Sequence, residues 1–547
     1  MIYPVLQKNN LTGAVVKTNG VKICGDLNAL AHKVFEGYGI NVSGDYNVTV
    51  NLTDTRATTY IDELRRISPE KYVITVKNDG AVIECSTEKG AFRGLNTLCK
   101  LINDNSLCEG SIEDYPTFET RGYIEGFYGP TWEHSKRLSV MSLMAKYGMN
   151  TYFYAPKDDI FHREKWRELY PEKDLEDLKI LVDYAKENYF DFNWCIGPGL
   201  SYKYTSVEDF DLLINKMKSI YNIGVRGFGL LLDDIPWEFQ YPEDAEKYDG
   251  IVDAHIDLIN KVYDELKAFD SSIKLTVCPT QYSGDENGYY ITKFGKGIPS
   301  DVSMFWTGEE ICSRVLTVRE SQELFRSTDH KPLFWDNYPV NDCEMFQEMH
   351  LGAIQGRDKE LYKSCEGLIS NVMEYAECSK IPLMTIADYL WNPVAYNPDN
   401  SLNNAHREML GDDTELFSYF ADHLGVSCLT RYSSAFMSNT LARLNFLVST
   451  GEKEQALKEF SEYNSKMREC LALIGDDSKP LFAEMKKWVK KFSMCCDLLD
   501  AIFDVWSSST NENLAKLARL TEEYNMNGVS LTGFCLREAA EKTLKLY

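Results

Sequence analysis

An adjacent pair of aspartates, Asp233 and Asp234, is the feature of this sequence best suited to do chemistry. The pair directly follows the apolar run 227–232, and Ile235-Pro236 comes immediately after it. Neighbouring side chains of a regular strand point to opposite faces, so both carboxyls reach one pocket only if the strand ends here, as the proline predicts. Two carboxyls this close resist double ionisation, so we expect the pKa of one to rise, which suits a general acid near neutral pH.

The dipeptide alone is weak evidence, because Asp-Asp occurs four times in the chain, at positions 158, 233, 412 and 476. Most such pairs are solvated turns or helix caps. The pair at 233 therefore has to be judged by the elements that position it.

Short apolar runs alternate with amphipathic segments from about residue 117 onward. Eight apolar runs begin at Arg121, Asn150, Phe190, Gly227, Lys274, Val302, Pro332 and Gly367. Helical periodicity is clearest at 135–147, 175–188, 207–221 and 251–269. Eight strand–helix units predict an α/β fold with a central (β/α)8 barrel of TIM type over residues 117–410. The active site of such a barrel lies where the strands end, and the fourth run ends at Asp233.

A smaller domain is predicted on each side of the barrel. Residues 1–116 mix strand patterns, such as Tyr46-Asn-Val-Thr-Val, with a helical segment at 88–102, and predict a small α/β domain. Residues 411–547 have apolar positions only at three- and four-residue intervals and predict a helical bundle domain. No long Pro/Gly/Ser linker separates the three, so we expect them to pack against one another.

Polar and aromatic residues stand at the ends of seven of the eight predicted strands. Besides the aspartate pair they are Gly126, Tyr128, Lys157, Tyr282, Thr307, Trp335, Asn337 and Asn371, with Asp342 in the loop after the seventh strand. A ligand rich in hydroxyls needs this mixture of hydrogen-bonding groups and flat apolar faces. Glycoside hydrolysis also employs two carboxyls in different environments. The pattern therefore favours a carbohydrate site at the mouth of the barrel.

Each of these residues also has an ordinary structural explanation. Lys157 could pair with Asp158 or Asp159 at the surface. Tyr128, Tyr282 and Trp335 could be aromatic residues of the core. Asn337 and Asn371 could cap helices, and Gly126 could allow a tight turn. Their shared position at strand ends is what favours the functional interpretation.

The composition excludes several other classes of protein. The net charge of −25 disfavours nucleic acid as a partner and, less strongly, polyanions such as hyaluronan. No apolar run reaches membrane-spanning length, and no metal or phosphate-loop motif is present, so we expect neither a membrane partner, a metal nor a cofactor. Fifteen irregularly spaced cysteines and no visible leader predict a cytoplasmic protein, although a secreted form whose leader has been removed fits the same sequence.

Six ordered motifs carry a resemblance to a known family. They are Glu125-Gly-Phe-Tyr-Gly, Tyr154-Ala-Pro-Lys-Asp-Asp, Leu232-Asp-Asp-Ile, Pro279-Thr-Gln-Tyr, Trp306-Thr-Gly and Trp335-Asp-Asn-Tyr-Pro-Val-Asn-Asp. Together they resemble the family-84 glycoside hydrolases, the bacterial relatives of O-GlcNAcase. The resemblance covers the whole barrel, and the order of the three domains also fits.

The resemblance implies a retaining β-N-acetylglucosaminidase in which the acetamido group of the substrate is the nucleophile and an oxazoline is the intermediate. It implies that Asp233 orients the acetamido group and that Asp234 is the general acid and base. The acetamido pocket would be formed by Tyr282, Thr307, Trp335 and Cys278. The sugar hydroxyls would be held by Gly126, Lys157, Asn337, Asp342 and Asn371, with Tyr128 close to the reacting centre. The implied partner is a glycoprotein or glycan that bears N-acetylglucosamine.

Gln281 departs from the family pattern, in which an acidic residue often stands beside the pocket tyrosine. Two alternatives to the hydrolase also stay open at this point. One is an inactive module that binds N-acetylglucosamine, since a fold does not imply a function. The other is a hydrolase of glycosaminoglycans of the hyaluronidase type.

Overall fold

Eight parallel strands close into a barrel at the centre of the molecule, in the order β10-β11-β12-β13-β14-β7-β8-β9. The computed structural model describes residues 2–52, 59–103, 105–425, 427, 429 and 433–546. The barrel strands are β7 (Thr120–Glu125), β8 (Thr151–Tyr154), β9 (Asp191–Ile196), β10 (Gly227–Leu231), β11 (Lys274–Cys278), β12 (Ser303–Trp306), β13 (Pro332–Asp336) and β14 (Gly367–Asn371). Most of their residues are buried, as in parallel strands that are covered on both faces. The predicted (β/α)8 barrel is confirmed.

Helices surround the barrel after seven of its eight strands. They are α3 (His134–Lys146), α4 (Glu172–Glu187), α5 (Val207–Asn222), α6 (Pro242–Lys247), α7 (Ile251–Phe269), α8 (Tyr289–Gly297), α9 (Val318–Thr328), α10 (Ala376–Trp391) and α11 (Pro398–Leu410). The prediction of eight complete strand–helix units is wrong for the seventh. Residues 337–366, all of them described, form loops with two short 3-10 turns at Cys343–Met345 and Leu361–Lys363. Pro339, Gly352 and Gly356 interrupt this stretch, and part of it lines the cavity described below.

The N-terminal part is a six-stranded mixed sheet with two helices. Its elements are β1 (Lys8–Lys17), β2 (Val21–Gly25), α1 (Asn28–Gly37), β3 (Tyr46–Asn51), β4 (Tyr72–Lys77), β5 (Gly80–Cys85), α2 (Glu88–Leu101) and β6 (Ser106–Asp114). The strand order is β1-β6-β4-β5-β3-β2. This is the small α/β domain that the sequence predicts.

The C-terminal part is helical throughout its described residues. Its helices are α12 (Thr414–Leu424), α13 (Ala435–Ser449), α14 (Lys453–Ile474), α15 (Pro480–Glu484), α16 (Lys486–Ser507), α17 (Asn511–Met526) and α18 (Cys535–Leu546). The predicted boundaries at 116/117 and 410/411 fall between β6 and β7 and at the end of α11. No described helix has the length and apolar character needed to cross a bilayer. The described cysteines are free thiols, and the cytoplasmic location stays a prediction.

Glu70 joins the N-terminal domain to the base of the barrel. Its carboxylate bonds to Arg93 of α2 at 2.8 Å and to Arg121 of β7 at 2.6 Å, and all three side chains are buried. Burial works to raise the pKa of Glu70, but the two guanidinium groups lower it to about 2. Arg93 also donates to the carbonyls of Ala145 and Met149 at the end of α3, so the cluster fixes the domain on the barrel.

Glu70→Gln should destabilise the fold, because two buried guanidinium groups lose their counter-charge. We expect the free energy of unfolding at pH 7 to fall by about 3–5 kcal/mol in urea denaturation. The control is Glu187→Gln, which breaks an exposed pair with Lys33 and should cost about 1 kcal/mol or less. Since the folded pKa of Glu70 lies below its usual 4.5, the wild-type advantage is full above that pH and fades as the pH falls toward 2. Equal effects of the two substitutions would show that the cluster does not hold the domains together.

Candidate active site

One cavity of about 530 Å³ opens at the C-terminal end of the barrel strands. Its walls contain every residue that the sequence singles out: Gly126, Tyr128, Lys157, Asp233, Asp234, Cys278, Tyr282, Thr307, Trp335, Asn337, Asp342 and Asn371. The floor is an apolar cluster inside the barrel that includes Phe153, Cys195, Phe305 and Leu333. This plug closes the barrel from below, so a ligand enters only from the mouth.

Lys157 and Asp233 form a buried ion pair across the bottom of the cavity. The Lys157 ammonium lies 2.5 Å from Asp233 Oδ2, and the two side chains are only 4% and 9% exposed. Burial works to raise the pKa of Asp233, but the charge and hydrogen bond of Lys157 outweigh it and lower that pKa. The rise expected for one of the two carboxyls therefore does not fall on Asp233, because the Lys157 cation lies in contact with it. The alternative in which Lys157 pairs with Asp158 or Asp159 is also excluded.

Asp234 has a different environment, which follows from its backbone. Strand β10 ends at Leu231, and Asp234 adopts φ +52°, a left-handed conformation that aspartate tolerates better than most residues. This turn brings the second carboxyl into the same cavity as the first. Tyr282 donates to its Oδ1 at 2.7 Å and Tyr128 to its Oδ2 at 2.8 Å. Burial raises the pKa of both tyrosines, so both hydroxyls keep the protons that they donate.

One wall of the cavity is a hydrogen-bonded cluster built around Asn337. Its Oδ1 accepts from Trp335 Nε1 and from Asn371 Nδ2, both at 2.9 Å, and its Nδ2 donates to the carbonyl of Ile311 at 2.7 Å. Asn371 Oδ1 in turn accepts from the backbone of Gly126 at 3.2 Å. The two asparagines are thus parts of the wall and do not cap helices.

Gly126 is a glycine because the Trp335 ring lies against its backbone. A Cβ atom at this position would stand 2.6 Å from the indole ring, which is closer than real contacts allow. The ring itself packs edge-on against Phe305 of the floor, with centroids 5.1 Å apart. The glycine is therefore needed for a close approach and not for a tight turn.

The remaining predicted residues also line the cavity. The Cys278 thiol is buried next to Asp233, and burial raises its pKa. Thr307 donates to the carbonyl of Glu310 at 2.9 Å, which shapes the loop after β12. Asp342 accepts from the backbone N–H of Tyr128 at 2.7 Å, and burial raises the pKa of its carboxyl.

Arg163 is a contact that the sequence did not predict. It donates to the Tyr128 hydroxyl at 2.9 Å, and the same hydroxyl donates to Asp234. Because Arg163 occupies an acceptor position of that hydroxyl, the hydroxyl proton is directed toward Asp234. The cavity also has a rim that the sequence reasoning missed, formed by Ile311, Cys312, Val340, Cys343, Glu344 and Met345.

Gln281 does not line this cavity. Its Nε2 donates to the carbonyl of Asp285 at 3.1 Å and its Oε1 accepts from the backbone of Ile291 at 3.3 Å. The side chain therefore ties the loop after β11 to helix α8. A carboxylate at this position could accept from Ile291 but could not donate to Asp285.

A closed barrel whose mouth combines two carboxyls with amide, hydroxyl and aromatic groups defines a glycoside hydrolase of the (β/α)8 class. Residues 121–422 match the model of the NAGidase family, described as beta-N-acetylglucosaminidase. The chain belongs to this β-N-acetylglucosaminidase family, the family-84 glycoside hydrolases. Residues 12–115 also match domain 2 of glycosyl hydrolase family 20, which corresponds to the N-terminal sheet.

Curated relatives resemble the central part of the chain. Protein O-GlcNAcase of Rattus norvegicus is 28% identical over 300 residues, which is 54% of this chain and 31% of the relative. The Mus musculus protein gives the same values. The chain thus matches about a third of the length of these curated relatives.

Solved structures resemble a larger share of the chain. A mutant of the Thermobaculum terrenum O-GlcNAc hydrolase is 32% identical and covers 79% of this chain and 95% of its own, with a TM-score of 0.75. CpGH84B is 26% identical with a TM-score of 0.86, and the match covers 99% of this chain and all of that one. CpGH84D, at 23% identity and a TM-score of 0.82, shares the fold.

Lys157→Met should destabilise the protein at neutral pH more than at acidic pH. The substitution leaves the buried Asp233 carboxylate without a counter-charge, so its pKa rises above the usual 3.8. We expect a loss of about 3–5 kcal/mol at pH 7 that shrinks as the pH falls and Asp233 takes up a proton. Thermal unfolding between pH 4 and 8 measures this loss. Lys179→Met, which breaks the exposed pair with Asp183, should change little at any pH, and a similar profile for both variants would contradict the account.

Proposed function

We propose that the chain is a retaining exo-β-N-acetylglucosaminidase of the O-GlcNAcase type, in which the acetamido group of the substrate acts as the nucleophile. The observation that carries the proposal is the unequal environment of the two adjacent carboxyls. Asp233 is held ionised against Lys157 at the bottom of the cavity, whereas Asp234 faces the mouth between two tyrosine hydroxyls. Two carboxyls with distinct surroundings can perform two distinct tasks.

In the first half of the proposed reaction, Asp233 accepts a hydrogen bond from the acetamido N–H and so directs the acetamido oxygen toward the anomeric carbon. That oxygen forms a bond to the anomeric carbon while the glycosidic bond breaks. The leaving oxygen takes the proton of Asp234 and departs as an alcohol, and the sugar becomes a bound oxazoline that is protonated on nitrogen, with its N–H still hydrogen-bonded to ionised Asp233. A protonated carboxyl donates one O–H and keeps acceptor capacity, so Asp234 can carry this proton toward the leaving oxygen while the Tyr282 and Tyr128 hydroxyls still donate to it.

In the second half, Asp234 removes a proton from water and the resulting hydroxide equivalent attacks the anomeric carbon. The oxazoline opens, the acetamido group is restored and N-acetylglucosamine leaves with its original β configuration. Because the nucleophile is already part of the bound substrate, the reaction gains the advantage of a preplaced group. The cluster of Trp335, Asn337, Asn371 and Gly126 supports the proposal as the wall that would hold the sugar ring.

The proposed substrate is a glycoprotein or glycan that carries terminal β-linked N-acetylglucosamine. The similarity to the protein O-GlcNAcase of Rattus norvegicus and the O-GlcNAc hydrolase of Thermobaculum terrenum supports this substrate class. The polyanionic alternative is less favoured, because Glu344 and Asp342 stand at the mouth and the chain carries a net charge of −25. An inactive binding module is less favoured too, since a module that only binds would not need the Asp234 carboxyl between two hydroxyl donors.

Substitution of either aspartate should lower the activity on N-acetyl-β-glucosaminides without unfolding the protein. Asp233→Ala loses the group that orients the nucleophile. Asp234→Asn should lose about 10²–10⁴-fold in turnover on an alkyl glycoside, whose leaving group needs the acid, and less on the aryl glycoside, whose leaving group does not.

Activity of the wild-type chain is measured by release of nitrophenol, and the fold of each variant by circular dichroism. Asp183→Asn, at an exposed carboxylate far from the cavity in the middle of α4, is the control and should remain fully active. A folded wild-type chain that binds N-acetylglucosamine and hydrolyses neither glycoside would establish the binding module instead. Release of sugar from hyaluronan at a comparable rate would favour the polyanionic alternative.

A further inference from the structure

The loop after β13 carries Asp342 into the cavity without a helix of its own to support it. Residues 342–345 line the cavity, and the next two residues, Phe346 and Gln347, leave it. A loop of about thirty residues between β13 and β14 has large conformational freedom, and fixing each of its residues costs free energy. The loop makes bonds of its own, such as Asn341 Nδ2 to the carbonyl of Glu348 at 2.8 Å, and it also makes contacts outside the barrel.

The C-terminal helical domain provides these contacts. Trp488 of α16 donates its indole N–H to the carbonyl of Gln347 at 3.2 Å, and the backbone of Ser530 donates to the same oxygen at 2.9 Å. Lys487 donates to the neighbouring carbonyl of Phe346 at 3.1 Å. Three donors from one domain thus converge on two consecutive peptide groups of the loop, and the Trp488 side chain is fully buried there.

The other end of this segment is fixed inside the cavity. Asp342 accepts from the backbone N–H of Tyr128, and the Tyr128 hydroxyl donates to Asp234. A short stretch of chain therefore connects α16, through Asp342, to Tyr128, one of the two tyrosines that flank the proposed acid. Loss of the outer contacts would free the segment to move Asp342 away from the sugar.

The same region of the helical domain also supports the loop after β14, the strand that ends at Asn371. Helix α10 has no side-chain cap of its own, and Glu484 accepts from the backbone N–H groups of Glu377 and Cys378 in its first turn, at 2.9 and 3.1 Å. A carboxylate at a helix N-terminus is stabilised by both the free donors and the helix dipole. Trp488 packs edge-on against Tyr375 just before this helix, with centroids 5.4 Å apart.

We propose that the helical domain is a working part of the active site, and that Trp488 and Lys487 are positioning residues that hold Asp342 against the substrate. This inference rests on the proposed function. Neither side chain contacts the cavity directly. Both act on Asp342 through the backbone carbonyls of Phe346 and Gln347, to which they donate hydrogen bonds.

The test compares two tryptophans of the same helix. Trp488→Phe keeps a ring in place and removes the hydrogen bond to the loop, whereas Trp506→Phe removes an equivalent bond to Thr543 within the helical domain. We expect Trp488→Phe to raise KM for para-nitrophenyl N-acetyl-β-glucosaminide about fivefold while kcat changes little, since Asp342 contributes binding. Trp506→Phe should leave both constants unchanged. Lys487→Met removes the other side-chain bond to the loop without altering the buried core, and it should also raise KM. It replaces the first variant as the test if Trp488→Phe does not fold.

A double-mutant cycle separates positioning from general destabilisation. If Trp488 acts through Asp342, Trp488→Phe should have no further effect on KM when Asp342→Asn is already present. Equal kinetics for the Trp488 and Trp506 variants, or independent effects of Trp488→Phe and Asp342→Asn, would overturn the inference while leaving the proposed function intact. A wild-type chain without activity on the glycoside would instead overturn the proposed function.

Discussion

The buried pair of Lys157 and Asp233 is the interaction on which the site depends. Bringing an ammonium and a carboxylate out of water costs several kcal/mol for each, and only close contact and further polar partners offset that cost. The barrel makes the contact possible because the loops after β8 and β10 meet at one mouth although the two residues are 76 positions apart. Once the pair exists, Asp233 is an acceptor with a fixed direction, and Asp234 contacts the Tyr128 and Tyr282 hydroxyls instead of the cation.

Two other buried carboxylates follow the same rule. Glu125, fully buried in the first strand, accepts from Arg137 through both oxygens and also from Tyr152 and the backbone of Trp132. Glu70 faces two arginines between the domains. These clusters lie away from the cavity and serve to fix α3 and the N-terminal sheet. Buried ion pairs therefore stabilise the barrel around the cavity, in addition to apolar packing.

Periodicity predicts the barrel, and position at a strand end or in the following loop predicts eleven of the eighteen residues that line its cavity, because both are local properties of the chain. Cys278 is implied only by the family resemblance, and the six rim residues from Ile311 to Met345 are not predicted. The partners of these residues could not be predicted in the same way. The pairing of Lys157 with Asp233, which lowers the Asp233 pKa, joins residues 76 positions apart, and the contact of Arg163 with Tyr128 arises in a loop with no distinctive pattern. The support of Gln347 by Trp488 joins positions 141 residues apart in different domains. The barrel pattern predicts a seventh helix, but the stretch between β13 and β14 forms loops instead. Some of its apolar residues, such as Val340 and Met345, line the cavity and do not form a helix face.

The central claim is that the acetamido oxygen of the substrate attacks the anomeric carbon, with Asp233 as its guide. Replacing the N-acetyl group of the aryl glycoside by mono-, di- and trifluoroacetyl groups weakens that oxygen as a nucleophile in steps while leaving the leaving group unchanged. The account predicts that kcat/KM of the wild-type chain falls steeply with each added fluorine. A kcat/KM that is insensitive to fluorination would mean that a protein group or water attacks instead, and would contradict the account.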